Sequence, residues 1–172
     1  NGTQDASKRF SIKGSGNDVL TGNNLSYLPP DPTFTSSIRL GNCCANGEAE
    51  SLTYEFNVNS FNALVTIWYA ISLYDARHDT YAENPEFVIT VEKNIGTTAN
   101  PNWQLASGDT LCYLRASPRS TDALAPFTNG GSNNVYLPWN KVIINLYNLL
   151  YQRVRIKIAA GDCCYNAHYG YA

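Results

Sequence analysis

The chain has 172 residues and a mass of 19.0 kDa, enough for one domain with a continuous core, since a chain of this size buries roughly 70% of the surface it exposes when unfolded. Charged residues make up 15% of it, 12 basic against 14 acidic for a net charge of −2, which excludes the electrostatic footprint that a nucleic-acid backbone or an anionic membrane surface needs. With 12 Tyr, 20 Asn and 44% hydrophobic residues, neither a disordered chain nor a helical bundle fits, because Asn and Tyr are poor helix formers.

Residues 1–35 are rich in Gly, Ser, Asn, Thr and Pro, with Gly14-Ser15-Gly16 and Tyr27-Leu28-Pro29-Pro30-Asp31-Pro32 as strong breakers. They read as an irregular arm, with one short strand at most, laid against a domain over 36–172. A strand is expected at Ser37–Leu40. Next, Leu52, Tyr54, Phe56 and Val58 alternate with Thr53, Glu55 and Asn57, the period of a strand with one apolar face. Ala63–Tyr74 is almost wholly apolar, β-branched and aromatic, which predicts a long central strand buried on both faces. Phe87, Ile89 and Val91 repeat the alternation, and Val154, Ile156 and Ile158 do so against Arg153, Arg155 and Lys157. Further strands are expected near Leu111–Ser117 and Lys141–Leu146, turns at Asn100-Pro101 and Asn129-Gly130-Gly131, and a short helical crossing at Asn148–Gln152.

Seven or eight strands without a long helix predict an all-β protein, a jelly-roll-like antiparallel β-sandwich. The expected core holds Leu52, Tyr54, Phe56, Ile67, Tyr69, Ile89, Val91, Ile144, Val154, Ile156 and Ile158. No run approaches the roughly 18 to 20 apolar residues needed to cross a bilayer, so no membrane insertion is expected. With Asn1 in first place, the chain reads as a mature or excised piece.

Five cysteines, Cys43, Cys44, Cys112, Cys163 and Cys164, point to an oxidising compartment and to two disulfides with one thiol left over. Neither adjacent pair has the spacer that turns two sulfurs toward one zinc ion. In an extended chain each adjacent pair offers one Cys to the interior and one to the outside.

Signatures of common enzymes are missing: the chain has no Gly-x-Ser-x-Gly elbow, no His-Glu-x-x-His and no phosphate-binding glycine loop. Its two histidines each follow an aspartate at the end of an apolar strand, His78 after Asp75 and His168 after Asp162. One reading makes Asp75 and Asp162 acceptors for turn N–H groups. The sharper reading gathers Glu48, Glu50, Asp75 and Asp162 as oxygen ligands for calcium at one end of the sandwich, with His78 and His168 beside them. No cofactor is required by either. Tyr147, Tyr151, Tyr165, Tyr169 and Tyr171 form a Tyr-rich end whose rings suit the apolar face of a pyranose, with amides to match its hydroxyls.

Several segments, taken together, resemble a known family. They are Ser37-Ile38-Arg39-Leu40-Gly41-Asn42, Gly47-Glu48-Ala49-Glu50-Ser51-Leu52-Thr53-Tyr54, Asn62-Ala63-Leu64 leading to Tyr69-Ala70, Asp75-x-x-His78, Pro85-Glu86-Phe87, Cys112, Trp139 before Val142 to Leu146, and Asp162-Cys163 with His168-x-Gly170-Tyr171-Ala172. In order and spacing they are similar to a jelly-roll domain of large Bacteroidota surface proteins. Those proteins often carry PKD-type repeats and gliding-motility-associated or type IX sorting domains, as in SprB-like adhesins. The resemblance covers roughly residues 35–172. The chain departs from the family pattern in three places: Cys43, Cys44 and Cys164 are additional, Tyr151 stands where a Gly usually ends the crossing turn, and the sequence stops at Ala172, where relatives continue the last strand.

The resemblance implies a non-enzymatic, secreted adhesin module on the surface of a Gram-negative bacterium, exported by the type IX route. Its partners would be surface polysaccharide or another extracellular ligand, and the neighbouring domains of the same large protein. It also implies a Cys112–Cys163 disulfide, leaving Cys43 or Cys44 to pair with Cys164. A carbohydrate-binding module working through tyrosines and amides is the alternative, and for the adhesin the expected ligand end is the one bearing Asp75, His78, Asp162 and His168.

Overall fold

Alternation and apolar runs become strands over most of the chain. The computed structural model describes residues 9–42, 47–75, 83–106, 113–116, 127–131, 133–163 and 169–172. In chain order the strands are β1 (Phe10–Lys13), β2 (Asn17–Asp18), β3 (Leu25–Ser26), β4 (Ser37–Leu40), β5 (Ala49–Asn57), β6 (Leu64–Tyr74), β7 (Glu86–Asn94), β8 (Trp103–Leu105), β9 (Tyr113–Ala116), β10 (Thr128–Gly131), β11 (Asn134–Asn145), β12 (Arg153–Gly161) and β13 (Gly170–Tyr171). The expected crossing after β11 is a single 3-10 turn at Tyr147–Leu149. Asn129-Gly130-Gly131, expected as a turn, instead lies in β10, which pairs with β11 through an irregular register.

All the strand pairs are antiparallel, in two two-stranded sheets, β1–β4 and β2–β3, and two main ones. One runs β10–β11–β6–β13, and the other β5–β12–β7 with β8 and β9 along the far edge of β7. Leu40 and Ala172 exchange two backbone hydrogen bonds of 2.8 and 3.0 Å, which attach β4, and β1 behind it, to the β13 edge. The principal strands therefore read β4–β13–β6–β11 in one sheet and β5–β12–β7–β9 in the other. First is beside last, second beside seventh, third beside sixth and fourth beside fifth, the interleaving of a jelly roll.

The core lies between the sheets. Tyr69, Ile71 and Leu73 from β6, Leu137 and Ile144 from β11, Phe87, Ile89 and Val91 from β7, and Val154 and Ile156 from β12 are buried there. Phe56, Ile67 and Ile158 are half-buried against them. The wet face of the second sheet carries Arg153 on Glu55 at 2.7 Å and an Arg155–Glu92 ion pair, with the Arg155 guanidinium 4.6 Å from the Trp103 ring centroid.

Two expected core residues are corrected: Leu52 is 39% and Tyr54 63% exposed. Their side chains share the face of β5 that pairs with buried Ile156 and half-buried Ile158, so the alternation is right. They are open because β5 is the edge strand of its sheet and the strands opposite, β4 and β13, are too short to cover it.

The N-terminal arm forms three short strands and lies over the outer face of the first sheet. Leu25 packs with Ala70 and Tyr136, and Trp139 donates its indole N–H to Ser26 O at 2.7 Å. Asn134, itself buried, donates to Leu20 O at 2.8 Å and accepts from Ser72 Oγ at 3.1 Å. Buried Asp18 accepts the Leu20 N–H at 3.0 Å and the Tyr171 hydroxyl, joining the arm to β13.

Candidate functional site

A jelly roll sends alternate connections to opposite ends, so its topology decides which candidate residues meet. The ends of β6 and β12 and the start of β5 bring Glu48, Glu50, Asp75 and Asp162 to one end. His78, His168, Tyr165, Cys43, Cys44, Cys112 and Cys164 lie outside the described residues, so the histidine and disulfide expectations are not resolved by geometry. Cys163 is buried.

The carboxylates at this end hold the fold. Asp162 accepts the Gly170 N–H at 2.9 Å and the Glu48 N–H at 3.2 Å, while its own N–H donates to Glu48 O at 2.8 Å. One side chain thus ties the start of β13 to the chain entering β5. Glu50, with a side chain 2% exposed, is paired by the Arg9 guanidinium, which also lies 3.6 Å from Glu48 Oε2. Asn42 donates to the same Glu48 oxygen at 3.3 Å. The Asp75 N–H reaches Asn133 O at 2.7 Å. Among the described residues no three His, Cys, Asp or Glu side chains converge as a metal-holding group. The turn-cap reading of Asp162 is therefore the one its geometry matches.

The tyrosines separate. Tyr169 and Tyr171 belong to the acidic end and stack at a centroid distance of 5.9 Å, with Tyr74 edge-on to Tyr169 at 5.8 Å. Tyr171 is buried, and burial first, then the Asp18 carboxylate, pushes its phenol well above the ordinary value. Tyr147 and Tyr151 sit at the opposite end, which corrects the expectation of a single Tyr-rich end. Adjacent numbering had suggested proximity, but β12 carries the chain from one end of the sandwich to the other between Tyr151 and Tyr169.

At that opposite end two turns are zipped together. Tyr151 N–H donates to Val58 O, and Val58 N–H to Gln152 O, both at 2.9 Å; Leu146 N–H donates to Ala63 O at 2.7 Å. On the first turn Phe61 is 99% exposed, and on the second Tyr151 is 88% exposed and Tyr147 half exposed. Tyr151 has φ 66°, the left-handed region that a bulky residue occupies at a cost of roughly 1 to 2 kcal/mol. Asn59 and Asn62 hold the first turn, accepting from Phe61 N–H at 2.8 Å and from Asn59 N–H at 2.6 Å. Phe61 carries no signal in the sequence that would single it out, since nothing in the alternation marks a turn-tip aromatic.

The two ends differ in kind. At the acidic end the described carboxylate contacts are spent on backbone donors, on the Asn42 amide and on Arg9. At the aromatic end two rings have no packing role and stand on turns fixed by backbone hydrogen bonds. Comparison with protein-family models, curated proteins and solved structures finds no match to the chain.

Proposed function

We propose that the chain is a non-enzymatic attachment module of a secreted cell-surface adhesin of a Gram-negative bacterium, and that it holds polysaccharide against the aromatic end of its sandwich. The resemblance to jelly-roll domains of Bacteroidota surface proteins supports the secreted, multi-domain setting. The exposure of Phe61 and Tyr151 on two turns bonded to each other supports the ligand surface. Flat rings cover the apolar face of a sugar, and placing them on a rigid scaffold limits the ordering entropy that binding costs. The left-handed Tyr151 carries the reading furthest. A bulky residue is kept in a strained conformation with almost no burial in return, the pattern expected when the side chain serves a ligand.

Retention of the purified chain on a panel of insoluble bacterial and plant polysaccharides tests this. Tyr151→Gly is expected to fold at least as stably as the parent, gaining about 1 kcal/mol because glycine tolerates the left-handed backbone, while losing tenfold or more in retention. Phe61→Ala should lose retention without a change in melting temperature. Retention unchanged in both variants, or reproducible turnover of a glycan by the parent chain, would overturn the proposal.

A further inference from the structure

A third turn joins the two aromatic ones. β7 pairs with β12 so that Lys93 lies opposite Val154, near the start of β12, which carries the β7–β8 turn to the same end of the sandwich. Residues 56–64, 94–105 and 142–152, which hold the three turns, contain no Asp, Glu, Lys, Arg or His, and they contain eight of the chain's 20 asparagines.

The new turn is as fixed as the other two. Asn94 Oδ1 accepts the Gly96 and Asn102 N–H groups, both at 2.9 Å, Asn94 Nδ2 donates to Thr97 O at 3.2 Å, and Ile95 N–H donates to Asn102 O at 2.8 Å. A Cβ on Gly96 would lie 2.4 Å from Asn100 O, so the turn is closed tightly on itself. Ile95 stands half exposed upon it.

The charges next along these strands are largely engaged. Arg153 pairs with Glu55 at 2.7 Å and lies 5.5 Å from the Trp103 ring centroid, and Lys141 lies 5.5 Å from that of Trp68. Lys93, half-buried, is the cation closest in sequence to the third turn.

An uncharged end selects its ligand. A carboxylate or sulfate laid against the rings must shed water, and a charged donor is what offsets that cost. Sugar hydroxyls ask for less, because amides and backbone groups exchange hydrogen bonds with them while rings cover the C–H face. A bilayer would also accept exposed Phe61 and Tyr151, but it would strand the asparagine amides among hydrocarbon.

We infer that the ligand of the aromatic end is a neutral polysaccharide, free of carboxylate and sulfate groups, lying across all three turns. Both the class and the third contact rest on the glycan reading of that end.

The test is calorimetric titration of the 172-residue chain with soluble polymers in matched pairs: hydroxyethyl against carboxymethyl cellulose, and β-1,3-glucan, xylan, mannan and galactan each against its sulfated form. Expected results are saturable binding of at least one neutral polymer, binding at least tenfold weaker to its charged counterpart, and an affinity constant within about twofold between about 50 and 500 mM NaCl, since no ion pair is there to be screened. Ile95→Asp places a carboxylate on the third turn and should weaken binding tenfold or more in a chain that circular dichroism shows to be folded; Thr98→Asp, at an exposed position of the same turn, serves if Ile95→Asp unfolds. Unchanged binding in the folded variant would overturn the three-turn contact. Preference for the charged member of a pair, lost at the higher salt but still dependent on Phe61 and Tyr151, would overturn the neutral class and leave the aromatic end as the ligand surface. Binding that Phe61→Ala and Tyr151→Gly leave intact, or no binding of any polymer, would fail the glycan reading and this inference with it. Saturable binding of phosphatidylcholine vesicles that those two variants abolish would overturn both in favour of a membrane-docking tip.

Discussion

Gly170 sits where three chain segments cross. A Cβ there would lie 2.6 Å from Gly161 O, 2.9 Å from Leu73 Cδ2 and 3.2 Å from Pro85 Cβ, and two of these are closer than real Cβ contacts come. Gly170→Ala should therefore cost about 1 to 3 kcal/mol through overpacking, read as a lower denaturant midpoint with the slope unchanged. Its neighbour Tyr171 predicts a pH effect. The phenol is raised in the folded state by burial and by Asp18, so it stays protonated where the unfolded chain's tyrosine, near pH 10, begins to ionise. Above that pH the unfolded state binds fewer protons than the folded one, and stability falls as pH rises. Melting temperatures measured from pH 8 to 11 should decline from about pH 10, and Tyr171→Phe should flatten part of that decline while lowering stability at pH 8, because buried Asp18 loses one of its two donors and keeps only the Leu20 N–H.

At the scale of elements, Asp162 does the work of a short missing stretch of ladder. It accepts two backbone N–H groups from segments more than 100 residues apart in sequence, Glu48 and Gly170. Asp162→Ala should cost about 2 kcal/mol or more by leaving both donors unpaired, whereas Asp162→Asn, which keeps an acceptor, should lose less; thermal unfolding of the two variants separates a cap from a mere surface charge. Much of the element order was legible from the residues. The Val154, Ile156, Ile158 alternation gave β12, the apolar run gave β6, and Ser37–Leu40 is β4 as expected. The face of β5 was legible too, but not its exposure, because a period of two tells which side chains share a face and says nothing about what covers it. The arm's β1, β2 and β3 are two to four residues long and owe their pairing to distant partners, so no local period announces them. The site was less legible than the fold. Asp162 could be read as a turn acceptor from its place after a strand, but the separation of Tyr151 from Tyr169 depends on connections crossing the sandwich, which the spacing of tyrosines does not encode.

The whole molecule draws its stability from sequence-distant pairings, and a disulfide would add to them. The Cys112–Cys163 bridge implied by the resemblance would close a loop of roughly 50 residues, worth about 4 kcal/mol by loop-closure entropy. Peptide mapping without reductant should recover the two cysteines in one linked fragment, and reductant should lower the melting temperature; recovery of Cys112 as a thiol would remove this bridge from the account. The pairing of Leu40 with Ala172, and of Asp18 with Tyr171, also has a kinetic meaning. The strand that opens the roll has its partner only when residues 170–172 are available, so the first sheet cannot assemble from residues 1–86 alone. Folding of such a topology is slow, in the range of milliseconds to seconds, because the loop-closure entropy is spent before the long-range contacts form. A chain emerging from the ribosome would then remain unlocked until residues 170–172 have been synthesised, with β4 open to solvent for that whole interval.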